Sequence, residues 1–184
     1  MSLEDNGYMK VPGLLDQSIT ELIFQYVLLR HQTGTMSVSD DLIETAPRLY
    51  ADPLTETLLL LGQQKVERMV SADLWPSYSY ARLHGHGASM PIHTDREASE
   101  VGVSICLGGD SPWPLWFRTP EGDIDVDLEP GDGIIYYGQR LPHWREPFAG
   151  SVQIQCVLFY VRRDGPCAES RFDGRPGIGF QKLM

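Results

Sequence analysis

From Tyr78 onward the chain breaks into short runs, aromatic or β-branched, separated by Gly, Pro and Asp: Tyr78–His84, Val101–Leu107, Leu115–Thr119, Ile124–Leu128, Gly133–Tyr137, His143–Glu146 and Val152–Val161. Helices need longer periodic stretches, so this pattern reads as strands. Pro120-Glu-Gly-Asp123 and Glu129-Pro-Gly-Asp132 are turn signals between neighbouring runs. Many short strands after two helical segments predict a mainly β chain with N-terminal helices (α+β). Its core is then a jelly roll, the double-stranded β-helix arrangement.

The helices belong to the first part of the chain. A strand over Tyr8–Val11 ends at Pro12-Gly13, and Asp16 is placed to cap a helix carrying Ile19, Leu22, Ile23, Tyr26 and Val27 to about Arg30. A polar loop is predicted over 32–41. A second helix starts at Asp52 or Pro53 and runs to Ser71, with Leu54, Leu58, Leu61, Lys65 and Met69 near one face and Gly62 weakening its middle. These apolar stripes need a partner surface, which the β region supplies. The 184 residues show no repeat or linker, so one domain is expected over 1–184. Its parts are a helical portion over about 14–72, a β core over about 78–161 and a tail over 162–184.

Composition narrows the function. A formal charge of -10 repels phosphate backbones, so no nucleic-acid partner is expected. No apolar run reaches the length of a membrane span, and the start lacks a basic region followed by an apolar one, so a cytoplasmic protein is expected. Cys106, Cys156 and Cys167 form no Cys-x-x-Cys pair and read as small buried hydrophobes in a reducing compartment.

The chemistry-bearing residues fall inside the β region. His93 and Asp95 stand two positions apart in Met-Pro-Ile-His-Thr-Asp, and residues i and i+2 of an extended chain project to the same face. His143 follows 50 positions after His93 (143 minus 93), just past the strand run Gly133–Tyr137. Two imidazoles and one carboxylate leave coordination positions open, which is the facial triad of non-haem Fe(II) oxygenases.

With that triad, the stretch from about Tyr78 to Val161 resembles the Fe(II)/2-oxoglutarate-dependent dioxygenase superfamily, more closely its prolyl-hydroxylase-like branch. The resemblance implies an enzyme holding Fe(II) through His93, Asp95 and His143, with 2-oxoglutarate and O2 as co-substrates. It implies hydroxylation of a C–H bond, with desaturation, cyclisation and demethylation open to the same residues. A small molecule, amino acid or peptide-like compound is the expected substrate; the oligomeric state is left open.

The far carboxylate of the co-substrate needs a cation, preferably the fork of an arginine. The branch often places one about nine residues after the distal histidine, where this chain has Val152. Arg145 is the first choice instead, two residues beyond His143 and on the same side of a strand, with Gln155 adding an amide. Tyr80 and Arg82, on the strand before the triad, are the other candidates. The competing reading of Arg145 is a surface pair with Glu146 or Asp132.

Two other classes stay open. A cupin-type metalloenzyme without 2-oxoglutarate needs an extra histidine, which His84 or His86 would supply; a non-catalytic ligand-binding module would keep the fold alone. Otherwise His84 and His86 read as substrate-loop or surface residues, and His31 as a cation at a helix end. Gly85, Gly87 and Ala88 read as a small mobile lip. Trp113, Trp116 and Trp144 are candidates for an apolar pocket or for the core, with Trp116 assigned to the core.

Overall fold

Helix caps set the frame on which the sheets are hung. The computed structural model, which describes residues 3–38 and 46–180, opens with a helical turn α1 (Leu3–Asn6) and strand β1 (Tyr8–Val11). Helix α2 (Gln17–Gln32) starts after Asp16, whose carboxylate accepts the Ile19 N–H at 3.0 Å and satisfies a donor that a helix start leaves open. Strand β2 (Arg48–Tyr50) precedes helix α3 (Pro53–Val70), which Asp52 caps through the Leu54 N–H. Because α2 continues to Gln32, the predicted loop starts later than expected, and its residues 39–41 lie outside the described ones.

The remaining strands are β3 (Leu74–His84), β4 (Met90–His93), β5 (Val101–Gly109), β6 (Leu115–Thr119), β7 (Gly122–Val126), β8 (Gly133–Tyr136), β9 (His143–Arg145) and β10 (Gln153–Arg162). They form a six-stranded sheet in the order β1-β8-β5-β10-β3-β2 and a four-stranded sheet in the order β4-β9-β6-β7, the strand pairs being antiparallel. This is the predicted jelly roll.

Side-chain alternation decides what each face does. On β10, Ile154, Cys156, Leu158 and Tyr160 join the core that includes Ile23 and Val27 of α2 and Leu59 and Val66 of α3. The alternate set Gln155, Val157 and Phe159 lines a cavity on the other face. Both faces being buried, β10 shows no polar alternation to solvent. Across the inner space Leu115 and Phe117 of β6 pack with Ile134 and Tyr136 of β8 and tie the two sheets together.

Boundaries moved where local signals misled. β3 begins at Leu74 rather than Tyr78 and includes Pro76, which pairs with Tyr160 beside a register shift and beyond the reach of β2. A proline is tolerated there because no neighbouring strand needs its missing N–H. The run predicted over 124–128 is shifted to Gly122–Val126, where Asp123 and Ile124 pair with Arg118 and Phe117.

The C-terminal segment folds back against the sheet. Arg175 is buried with Glu56, Nη2 to Oε1 2.6 Å, and donates to the Ser77 carbonyl at 2.9 Å. Asp173 accepts the Arg96 guanidinium N–H at 2.5 Å and also the Tyr50 hydroxyl. It therefore braces β2 and the segment directly after Asp95.

Candidate metal centre

His93 ends β4, His143 begins β9, and the two are register partners, with ring centroids 4.3 Å apart. In each, Nδ1 lies 2.9 Å from the carbonyl oxygen two residues earlier, that of Pro91 for His93 and of Leu141 for His143. A carbonyl only accepts, so Nδ1 carries the proton and Nε2 keeps its lone pair. Both Nε2 atoms face Asp95, at 3.6 Å and 3.8 Å from Oδ1. One ligand atom from each of the three residues lies within 4.8 Å of the others.

Asp95 reaches this position by a different route from the one its spacing implies. β4 stops at His93, so Asp95 lies beyond the strand and is placed by its own N–H, which donates to the Gly138 carbonyl at 2.8 Å. A Cβ on residue 138 would stand 2.0 Å from Asp95 Oδ2, so the approach requires glycine. Oδ2 itself is buried with no hydrogen-bond partner. An orphaned carboxylate oxygen is costly, and a cation between it and two imidazole lone pairs removes the cost. The donors present therefore fit a divalent ion, and two nitrogens with one carboxylate suit Fe(II).

The imidazoles respond differently to their surroundings. Burial lowers the pKa of His143 below the ordinary histidine value. At His93 burial acts in the same direction but is outweighed by Asp95 and the Pro91 carbonyl, and the pKa is raised.

A cavity of about 320 Å³ runs from the triad into the space between the sheets, and Arg145, Arg82, Tyr80, Gln155 and His84 line it with the three triad residues. Arg145 is only 6 % exposed. The surface pairs considered for it are not formed: Asp132 pairs with Lys10 at 3.2 Å, and Glu146 accepts the Trp144 indole N–H at 2.8 Å. Among the described residues no carboxylate pairs with Arg145; its Nη1 donates to the Trp113 carbonyl. Burial pushes its pKa down to about 10, which still leaves it a cation at neutral pH.

Arg82 and Gln155 are register partners on β3 and β10, as are Tyr80 and Val157. The Arg82 guanidinium lies 5.0 Å from the Tyr80 ring centroid. Gln155 Oε1 is buried without a partner, an acceptor available to a bound donor. The four residues singled out for the co-substrate thus share one cavity with the triad.

Other sequence expectations change. His84 is not a surface or loop residue: it ends β3, is 3 % exposed and touches the Trp113 ring at 4.6 Å. The parity that turns Tyr80 and Arg82 inward applies to His84 as well, and the following glycine hid it. His86 is exposed, with Nδ1 3.2 Å from the Ala149 carbonyl. Neither histidine joins the cluster, so the extra ligand of a cupin-type site is missing among the described residues. The glycine lip is pinned, since Gly87 N–H donates to the Phe148 carbonyl at 2.9 Å and Phe148 N–H to that of Ala88 at 2.8 Å. Trp116 and Trp144 stack on each other at 5.8 Å, half-buried and away from the cavity. Gly138 had no local sequence signal beyond being a glycine.

No family model matches the chain, and no curated protein matches it. Solved structures do match. A prolyl-4-hydroxylase from Pseudomonas putida is 16% identical, with 88% of this chain and 95% of that one covered and a TM-score of 0.72. The non-haem α-ketoglutarate-dependent epimerase SnoN of nogalamycin biosynthesis is 14% identical over 99% of this chain and 90% of its own, with a TM-score of 0.76. HygX from Streptomyces hygroscopicus, with nickel and 2-oxoglutarate bound, is 13% identical over 88% and 85%, with a TM-score of 0.69. At these identities the likeness establishes the fold.

Proposed function

We propose that this chain is an Fe(II)- and 2-oxoglutarate-dependent oxygenase that hydroxylates a C–H bond of a small molecule, amino acid or peptide-like substrate. The observation that carries the proposal is one cavity with a His-Asp-His cluster at one position and a buried, carboxylate-free arginine two residues along the same strand. His93, Asp95 and His143 would hold the iron. An iron ion held there would supply the oxidising chemistry of a 2-oxoglutarate-dependent hydroxylation, in which one oxygen atom of O2 goes to the substrate and the other to succinate as CO2 is lost. The fold shared with two proteins named for α-ketoglutarate or holding 2-oxoglutarate supports the assignment.

The chain's own part is placement. The Pro91 and Leu141 carbonyls hold the imidazoles in the ligating tautomer. Arg145 offers guanidinium N–H groups to the far carboxylate of the co-substrate, in a site where little water competes. Gln155, Tyr80 and Arg82 complete the polar wall, and Tyr78 and Phe159, 4.7 Å apart, form an aromatic one. These walls orient a substrate near the triad and exclude bulk water. One domain over 1–184 and a cytoplasmic setting go with this reading; three buried, unpaired cysteines support the latter.

Anaerobic titration with Fe(II) and then 2-oxoglutarate tests it. A visible charge-transfer band should appear only with both present, and aerobic incubation should release some succinate. Iron binding with no 2-oxoglutarate binding would overturn it and favour a metalloprotein of another kind.

A further inference from the structure

Trp113 is 6 % exposed and does not line the cavity, yet its contacts converge on Arg145. The Arg145 guanidinium carbon lies 4.8 Å from the Trp113 ring centroid. Arg145 Nη1 donates to the Trp113 carbonyl oxygen, and Trp113 Nε1 donates at 2.7 Å to the carbonyl of Glu146, the next residue after Arg145. Phe148 at 5.3 Å and His84 at 4.6 Å pack on the same indole.

We propose that Trp113 is a positioning residue for dicarboxylate recognition, its indole holding the Arg145 guanidinium ready for the far carboxylate of the co-substrate. The proposal rests on the function proposed above. A guanidinium on a long, flexible stem has many rotamers, and immobilising such a side chain during binding weakens affinity. Here its flat face, weakly hydrated, lies against an indole and gains a cation–π attraction. The Trp113 carbonyl takes one N–H, while the cavity-facing part of the guanidinium remains for an anion. The indole N–H holds the ring to the carbonyl of Glu146, directly after β9, so indole and guanidinium are anchored to the same stretch of backbone. Since any residue at 113 keeps the backbone carbonyl, substitution there tests the indole separately from that hydrogen bond.

The test uses full-length protein loaded with Ni(II) and calorimetric titration with 2-oxoglutarate and with 2-oxobutyrate, which has the same keto acid end and no far carboxylate. Trp113→Leu should weaken 2-oxoglutarate about tenfold, and Trp113→Phe, which keeps an aromatic face but not the N–H, about threefold. Ni(II) and 2-oxobutyrate affinities should stay within about twofold of wild type, near the measurement error of such a comparison. In an Arg145→Met background neither change should have a further effect. Unchanged 2-oxoglutarate affinity in Trp113→Phe, equal losses for both keto acids, or additive losses in the double variant would each overturn the proposal. The Phe variant decides alone if Trp113→Leu does not fold. Wild-type protein that binds Ni(II) but not 2-oxoglutarate would instead sink the functional reading, and this inference with it.

Discussion

At the triad end of the cavity each histidine is fixed by a carbonyl two residues before it, whereas at the arginine end the guanidinium donates to a carbonyl 32 positions away. The ends also carry opposite unanswered charge: Asp95 has a buried oxygen with no partner, and Arg145 is a buried cation with no described carboxylate. Each charge costs the ligand-free protein stability. One cavity thus carries a buried carboxylate oxygen without a partner at one position and a buried cation at another, the imidazoles at the first oriented by local carbonyls and the guanidinium at the second by a distant one.

The largest expected effect separates these two charges. Asp95→Ala should lower divalent-metal affinity by more than about 100-fold, beyond the 10–100-fold typical of losing an outer hydrogen-bond partner. Ligand-free stability should change little, because Oδ2 has no partner to lose and Oδ1 stands 3.6 and 3.8 Å from the two imidazole Nε2 atoms, beyond ordinary hydrogen-bond distance. Calorimetry with Ni(II) and urea unfolding of the metal-free protein measure the two. Intact metal affinity would remove Asp95 from the site.

Next comes the arginine end. Arg145→Ala should weaken 2-oxoglutarate by about 2 to 4 kcal/mol, roughly thirty- to several-hundred-fold, with metal affinity hardly changed. Arg145→Lys should recover only part, since a point charge does not reproduce the planar fork. The matching Arg82→Ala variant sharpens the comparison. A strong loss there with Arg145→Ala near wild type would move the anchor to β3.

How much of each end could be read from the sequence follows the range of its contacts. The His93–Asp95 spacing, the turn signals and the strand before His143 are local, so the cluster was visible even though Asp95 lies past the strand. Arg145 was visible through parity with His143 on β9. What holds Arg145 was not: Trp113 lies on the segment between β5 and β6, and only tertiary folding brings it there. The strand pattern gave the jelly roll, but Pro76 hid the start of β3 because the missing neighbour that tolerates it is a matter of sheet order.

Beyond the β4–β9 pairing that brings the two histidines together, the triad end depends on the distant contact of Asp95 with Gly138, and that contact should be its weak point. Gly138→Ala puts a methyl group against the Asp95 carboxylate, which must move or push β8's following turn outward. Metal affinity should fall about tenfold, in the range of an outer-shell change. The selectivity for 2-oxoglutarate over 2-oxobutyrate at saturating metal should stay unchanged. A change in that selectivity would show that the two ends are coupled through the backbone.

The smallest effect concerns His84, beside the arginine end, and is read in stability. Burial first, then the positive charges of Arg145 and Arg82, push its pKa down to about 3. An unfolded histidine titrates near about 6.5. Between those values the unfolded chain binds a proton that the folded chain does not, so this contribution is full above about pH 6.5 and is lost as pH falls. From about pH 7.5 to 5.5 the loss should be about 1.4 kcal/mol. His84→Gln removes the titrating group while keeping a neutral polar side chain. Urea unfolding of metal-free wild type and variant at both pH values isolates it, because His93 and His143 titrate in both proteins and cancel in the difference. Equal pH dependence in the two proteins would mean that His84 takes up its proton in place at the lower pH, beside the Arg145 and Arg82 guanidinium groups, and that its burial does not hold it neutral.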